Sequence, residues 1–243
     1  MKKILLSAAV CFLAAAGCAD PYAGYKLGPA RDVVAGSVDA MGGIARCRSV
    51  GNIEATAVVS IYDDAGKATI NEQHQVINPE GDVIRASAKT ADGSWTASVG
   101  GIGGSRFKSK GFVASPERKK AVIESLQTIL HRVRGPRNLC GGDEKPTATE
   151  RVRIDGRDLI RVPVTGGVGD IKAYYFDAQT SVLRMVTAGS DEAGGDGTVT
   201  VYSWQMFPNG MAFPVRISVM KIGSNVLVGD EPVLEVDYLQ VKW

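Results

Sequence analysis

The chain has 243 residues, with 28 basic and 26 acidic side chains, two histidines and a formal net charge of +2 at pH 7. Lys2 and Lys3 account for that whole excess, so the rest is balanced and shows none of the basic surplus of a nucleic-acid binder. At 44% hydrophobic residues it is long enough to bury a substantial core, and its length suits a single all-β domain.

The chain begins Met1-Lys2-Lys3 and is then apolar from Ile4 to Ala16 except for Ser7. A basic start, a short apolar run and small residues at its end make a secretory signal peptide over residues 1–17. The run is too short to span a bilayer, which takes roughly 20 apolar residues. Ala16-Gly17 directly before Cys18 resembles the lipobox of bacterial lipoproteins, although Ala15 stands where the usual pattern has Leu. The resemblance implies that Cys18 carries a diacylglycerol, that the new amino terminus is acylated by a chain such as palmitate, and that the protein is fixed to membrane lipid. The alternative is an ordinary signal peptide cut at Ala14-Ala15-Ala16, with Cys18 incidental. Ala19 after the cysteine, in place of Asp, favours the outer membrane with the fold facing the periplasm. Asp20 one place later keeps inner-membrane retention as the less favoured alternative.

Cys47 and Cys140 are the cysteines that remain beyond Cys11 and Cys18. In an oxidising compartment two such cysteines pair; two buried free thiols are the alternative. Residues 18–30 are rich in Gly, Pro, Ala and Tyr and read as a lipidated tether. From Arg31 the spacing of Val34, Val38 and Met41 predicts a short helix ended by Gly42-Gly43.

The period then changes to two. Strands are expected over Gly51–Tyr62, Lys67–Ile77, Val83–Lys89 and Ser94–Val99, separated by turns rich in Asp, Gly and Pro, as an antiparallel meander. Gly100-Gly101-Ile102-Gly103-Gly104 lacks the Lys-Ser/Thr end of a phosphate loop and reads as a flexible loop at a sheet edge. The one strong helix is Pro116–Arg134. Ser115 caps it, Pro116 opens it, Val122, Leu126, Ile129, Leu130 and Val133 form its apolar stripe, and Gly135-Pro136 ends it. Hairpins resume with Val152–Ile160 around Asp155-Gly156. Asp170–Phe176, Val182–Ala188, Gly197–Phe207, Ala212–Ile222 and Val226–Trp243 complete a mainly β reading of about ten strands and two helices.

No catalytic constellation stands out. His74 lies in an alternating strand and His131 on the main helix, with no metal-ligand spacing around either. There is no Gly-x-Ser-x-Gly elbow, and Asp63-Asp64 and Asp191-Glu192 read as solvated turns. No enzyme activity, cofactor or metal is expected. Trp95, Trp204 and Trp243, with Tyr174 and Phe176, line a cavity or simply fill the core.

Asp39-Ala40-Met41-Gly42-Gly43-Ile44 before the first strand resembles the start of bacterial outer-membrane lipoprotein-sorting proteins. Asp92-Gly93-Ser94-Trp95, the helix from Pro116, Tyr174–Thr180 and Asn209–Pro214 agree in order and spacing, over residues 31–243. This LolA/LolB-like resemblance implies an unclosed antiparallel β half-barrel with helices over its concave, apolar face. It implies a carrier or acceptor that binds an acyl chain or a lipoprotein in the cavity, with Trp95, Leu126, Ile129, Leu130, Tyr174, Phe176 and Trp204 as lining candidates. Ile102 is the nearest counterpart of the exposed Leu by which LolB touches the membrane. With both helices on one face, the resemblance also places Cys47 near Cys140. The other reading is a non-enzymatic interaction lipoprotein of an envelope complex, with the same fold and a filled core.

Overall fold

A computed structural model describes residues 22, 28–141, 145–192, 195–223 and 232–243. The signal peptide, Cys18, nearly all of the tether, and the turn and strand start expected at 224–231 lie outside the described residues.

Among the described residues, thirteen antiparallel strands form one open sheet. The first meander runs through β1 (Ile53–Tyr62), β2 (Ala68–Asn78), β3 (Val83–Thr90), β4 (Gly93–Gly100) and β5 (Arg106–Lys110). The chain then crosses in a helix and returns through β6 (Lys145–Pro146), β7 (Glu150–Ile154), β8 (Arg157–Thr165), β9 (Ile171–Asp177) and β10 (Leu183–Ala188). It finishes with β11 (Thr198–Met206), β12 (Ala212–Lys221) and β13 (Pro232–Lys242). β13 pairs with β1 and so joins the two meanders, while β5 ends one side and β8, flanked by β6 and β7, ends the other. The sheet therefore curves without closing and keeps two edges, the half-barrel that the resemblance implies.

Three helices, α1 (Arg31–Ala40), α2 (Ile44–Ser49) and α3 (Pro116–Gly141), pack on one face, called inner below. The alternation that predicted the strands sets this face: Ile53, Ala55, Ala57 and Val59 of β1 are buried while their neighbours are not. The tight turn between β7 and β8 has Asp155 at φ 49° and Gly156 at φ 75°, the left-handed pair that an Asp-Gly hairpin supplies cheaply.

Two strands went unread in the sequence. Only Phe107 in β5 is apolar, so the alternation is faint, and β6 has two residues. α2 is likewise too short to show a period. Tyr22 and Ala30, in the stretch read as tether, are buried with the inner core. A second, smaller cluster of Leu159, Tyr175, Met185 and Val199 lies apart from it.

Candidate functional site

α3 is the cover that positions the inner site. Ser115 Oγ accepts the Arg118 amide at 3.2 Å, the expected cap. Glu117 in the first turn is held below the usual carboxylate range, chiefly by its own backbone N–H and by Ser115. The stripe Val122, Leu126, Ile129, Leu130 and Val133 is buried as its spacing requires.

The expected end at Gly135-Pro136 is corrected, because α3 continues to Gly141 with Pro136 inside it. Proline has no N–H to give the carbonyl four residues back, here Arg132. The sheet supplies a donor instead: Tyr202 Oη donates to the Arg132 carbonyl at 3.0 Å, and Tyr174 Oη to the Gly135 carbonyl at 3.2 Å. The Arg132 guanidinium, 5% exposed, reaches only Gly169 O and Thr198 Oγ1, each at 3.4 Å, and makes no ion pair among the described residues. Burial lowers its pKa.

Under α3, register sets the inner face in rows. Tyr238, Ala57, Gln73, Ala88 and Trp95 lie side by side across five strands, and Ala55, Gln75, Ala86 and Ala97 form the next row. Alanines leave a low floor, and two buried glutamines stand on it. Gln75 Nε2 donates to Gln73 Oε1 at 2.9 Å, which leaves Gln73 Nε2 and Gln75 Oε1 without partners among the described residues. Tyr238 Oη is also buried and unpartnered there, and burial pushes its pKa up. Such groups cost about 1–3 kcal/mol each when unpaired. The sequence carries this signal, since alternation puts Gln73 and Gln75 on one face with Ile77.

α1 and α2 cover the remaining part of the inner face. Val34, Val38 and Met41 point into the core, as the helical spacing predicted, and Val33 joins them. The two helices meet at Gly42 and Gly43, with φ of 107° and 86°, a conformation open to glycine and strained for other residues. Cys47 of α2 is disulfide-bonded to Cys140 near the end of α3, with Cα atoms 6.2 Å apart. α2 is thus strapped to α3, whereas α1 joins α2 through the glycine pair and meets the sheet where the Ala212 N–H donates to the Met41 carbonyl at 3.2 Å.

Voids lie along this layer. One of about 50 Å³ is lined by Met41, Cys47, Val133, Pro136, Trp204 and Trp243. Another of about 180 Å³ lies between Ser37 and Ala40 of α1, with Met41 just after it, and Leu183, Trp204, Met206 and Ala212 of the sheet. Trp204 borders both, held by its Nε1–H to the Leu183 carbonyl at 2.7 Å and packed on Tyr202 with ring centroids 5.6 Å apart. Both voids are smaller than the roughly 300–1,000 Å³ of small-molecule sites.

The expected lining residues therefore divide. Trp95, Leu126, Ile129, Leu130, Tyr174 and Phe176 come together as one packed core, each at most 2% exposed. Trp204, by contrast, borders both voids. Beside it stand Pro136, expected only as a helix stop, Phe213, part of the Asn209–Pro214 stretch, and Met206, which no motif marks. Ile102, at the tip of the loop joining β4 to β5, is fully exposed. His74 bonds Glu54 at 2.9 Å on the surface, and His131 packs near Gly169. Among the described residues no three His, Cys, Asp or Glu side chains cluster to hold a metal, and no helix is long and apolar enough to cross a membrane.

No family model and no curated protein matches this sequence. Among solved structures it is similar to a domain from Vibrio parahaemolyticus described as an outer membrane lipoprotein-sorting protein, at 9% identity and TM-score 0.47. That match covers 87% of this chain and 90% of the other. A DUF1329 family protein from Desulfovibrio piger is similar at 10% identity and TM-score 0.43, over 88% and 93% of the two chains. A LolA superfamily protein from Nitrosomonas europaea is similar at 11% identity and TM-score 0.44, again over 88% and 93%.

Proposed function

We propose that this chain is a membrane-anchored periplasmic lipoprotein whose half-barrel takes an acyl chain, free or borne by a lipoprotein, beneath α1. The observation that carries the reading is the incompletely filled layer around Trp204. It lies between a helix on a glycine hinge and a sheet face that is apolar and open at both edges. Trp204 is the entry residue. Trp95, Leu126, Ile129, Leu130, Tyr174 and Phe176 form the wall against which a chain settles once α1 swings out. Gln73, Gln75 and Tyr238 offer buried donors and an acceptor to the polar end of such a ligand. The strap between Cys47 and Cys140 keeps α2 and α3 together, so that α1 alone moves.

The anchor is Cys18, in its lipobox-like setting, and the favoured location is the outer membrane. Ile102 is the contact of the folded part with the bilayer. The reading needs no catalytic residue, cofactor or metal. A protein carrying Cys18→Ser, purified from cells and extracted with solvent, should yield stoichiometric lipid by mass spectrometry and should take up fluorescent fatty acids. Absence of both refutes the carrier reading.

The dense packing of the six wall residues favours a second reading, an interaction lipoprotein with a filled core. Cross-linking in intact cells separates the two. One stoichiometric protein partner supports the second, and many different lipoproteins support the first.

A further inference from the structure

The outer face of β3–β5 gathers cations into one local excess. Register places Arg85, Ser98 and Arg106 side by side, then Ser87, Thr96 and Lys108, then Lys89, Ser94 and Lys110. These nine residues comprise five cations and four hydroxyls, with no carboxylate. None of the five cations makes an ion pair with a described residue, and all are exposed. The same face continues onto β2 and β1, where Glu72 stands beside Lys89 and Glu54 is engaged by His74. Asp92 sits in the turn between β3 and β4. The surface is hollow as well as basic. A groove of about 380 Å³ is lined by Arg85, Ser87, Thr96, Ser98, Arg106 and Lys108. It meets a second hollow of about 260 Å³ under the Gly100–Gly104 loop, with Arg85, Ser98 and Arg106 common to both.

Cations on a terminal strand repel stray strands, which accounts for Arg106, Lys108 and Lys110 on β5. It does not account for Arg85 and Lys89. They stand on β3, two strands in from the edge, and face the same way. Nor does it account for the column of hydroxyls between the two basic strands. Five like charges kept together in an otherwise balanced chain, with Glu72 the one carboxylate beside them in register, make a local positive potential that attracts an outside anion.

We infer that this face docks on the anionic phospholipid headgroups of a membrane surface. The guanidinium and ammonium groups meet phosphates, and Ser87, Ser94, Thr96 and Ser98 donate hydrogen bonds to them. A broad exposed sheet face suits a planar array of phosphates. The inference goes beyond the acyl-chain reading and stands without it, because it uses charges on the opposite side of the sheet.

The test uses the full chain carrying Cys18→Ser, so that no lipid anchor contributes. Co-sedimentation with vesicles of phosphatidylglycerol and phosphatidylcholine is compared with phosphatidylcholine alone, at low and high salt. Binding is expected only to the anionic vesicles and should weaken with salt. Arg85→Gln with Lys108→Gln should lower the partition coefficient roughly 30-fold, about fivefold for each cation removed near the surface. Arg151→Gln with Arg157→Gln, which removes equal charge from exposed positions on β7 and β8, should leave it unchanged. Fatty-acid uptake by the first double variant should match the parent, which separates this inference from the carrier reading. Equal partition into both vesicle types, equal loss in the two double variants, or self-association or nucleic-acid binding without vesicle binding would each overturn it.

Discussion

Replacing Tyr202 by Phe removes one hydroxyl and keeps the ring against Trp204. That hydroxyl donates to the Arg132 carbonyl at 3.0 Å, the carbonyl whose helical donor Pro136 cannot supply. Tyr202 is 2% exposed, so water does not readily replace it. A buried acceptor left unpaired costs about 1–3 kcal/mol, and the variant should lose stability in that range. Pro136→Ala restores an N–H at the right position in α3. In that background the carbonyl keeps a partner, and Tyr202→Phe should cost less than about 1 kcal/mol, a coupling of about 1–2 kcal/mol between the two sites. Urea unfolding of the four proteins of this cycle, read at constant m-value, measures the coupling. An equal cost of Tyr202→Phe in both backgrounds would refute the account of how α3 passes through proline.

Cys47→Ser with Cys140→Ser opens a loop whose ends are 93 residues apart in sequence. The chain-entropy relation gives about 4.7 kcal/mol for it, within a practical range of about 0–5, and denaturant midpoints with and without the bond check this. Two alkylated thiols in the unreduced, denatured Cys18→Ser protein would exclude the bond. Burial lowers the pKa of His131, with Arg132 and Arg134 acting the same way and Asp82 opposing. The unfolded chain therefore takes up the proton first, and stability falls as pH drops below about 6.5; His131→Gln should flatten the urea-midpoint profile in that window. Cys18→Ser should release the protein from the membrane fraction and abolish palmitate labelling; label retained in that variant contradicts the lipobox reading.

Most strands were legible because one wet and one buried face impose period two, and Asp-Gly and Asn-Gly pairs mark the turns. What stayed hidden depended on partners distant in sequence. Pro136 is a helix stop in any local reading, and only Tyr202, 66 residues beyond it, supplies the missing donor. β5 carries almost no alternation because Phe107 is its one inward anchor, packed on Trp95 with ring centroids 6.0 Å apart. The basic outer face was invisible because Arg85 and Lys89 come from one strand and Arg106, Lys108 and Lys110 from another, joined only by register through β4. The aromatic and aliphatic wall residues follow from the family resemblance and from no local pattern. Which of them borders space depends on how α1 sits, and that is not written in any local pattern.

The central claim is that α1 swings away to admit an acyl chain, and a reversible lock tests it directly. A Cβ built on Gly36 of α1 lies 3.0 Å from Ser181 Cβ in the turn between β9 and β10. The usual disulfide separation is about 3.5–4.5 Å, so a small yield of the helix lets Gly36→Cys and Ser181→Cys bond. In the Cys18→Ser background, the oxidised lock should abolish uptake of a fluorescent fatty acid. Selective reduction of the new bond, with Cys47–Cys140 still intact by alkylation, should restore it. Undiminished uptake by the fully oxidised, locked protein would contradict the account.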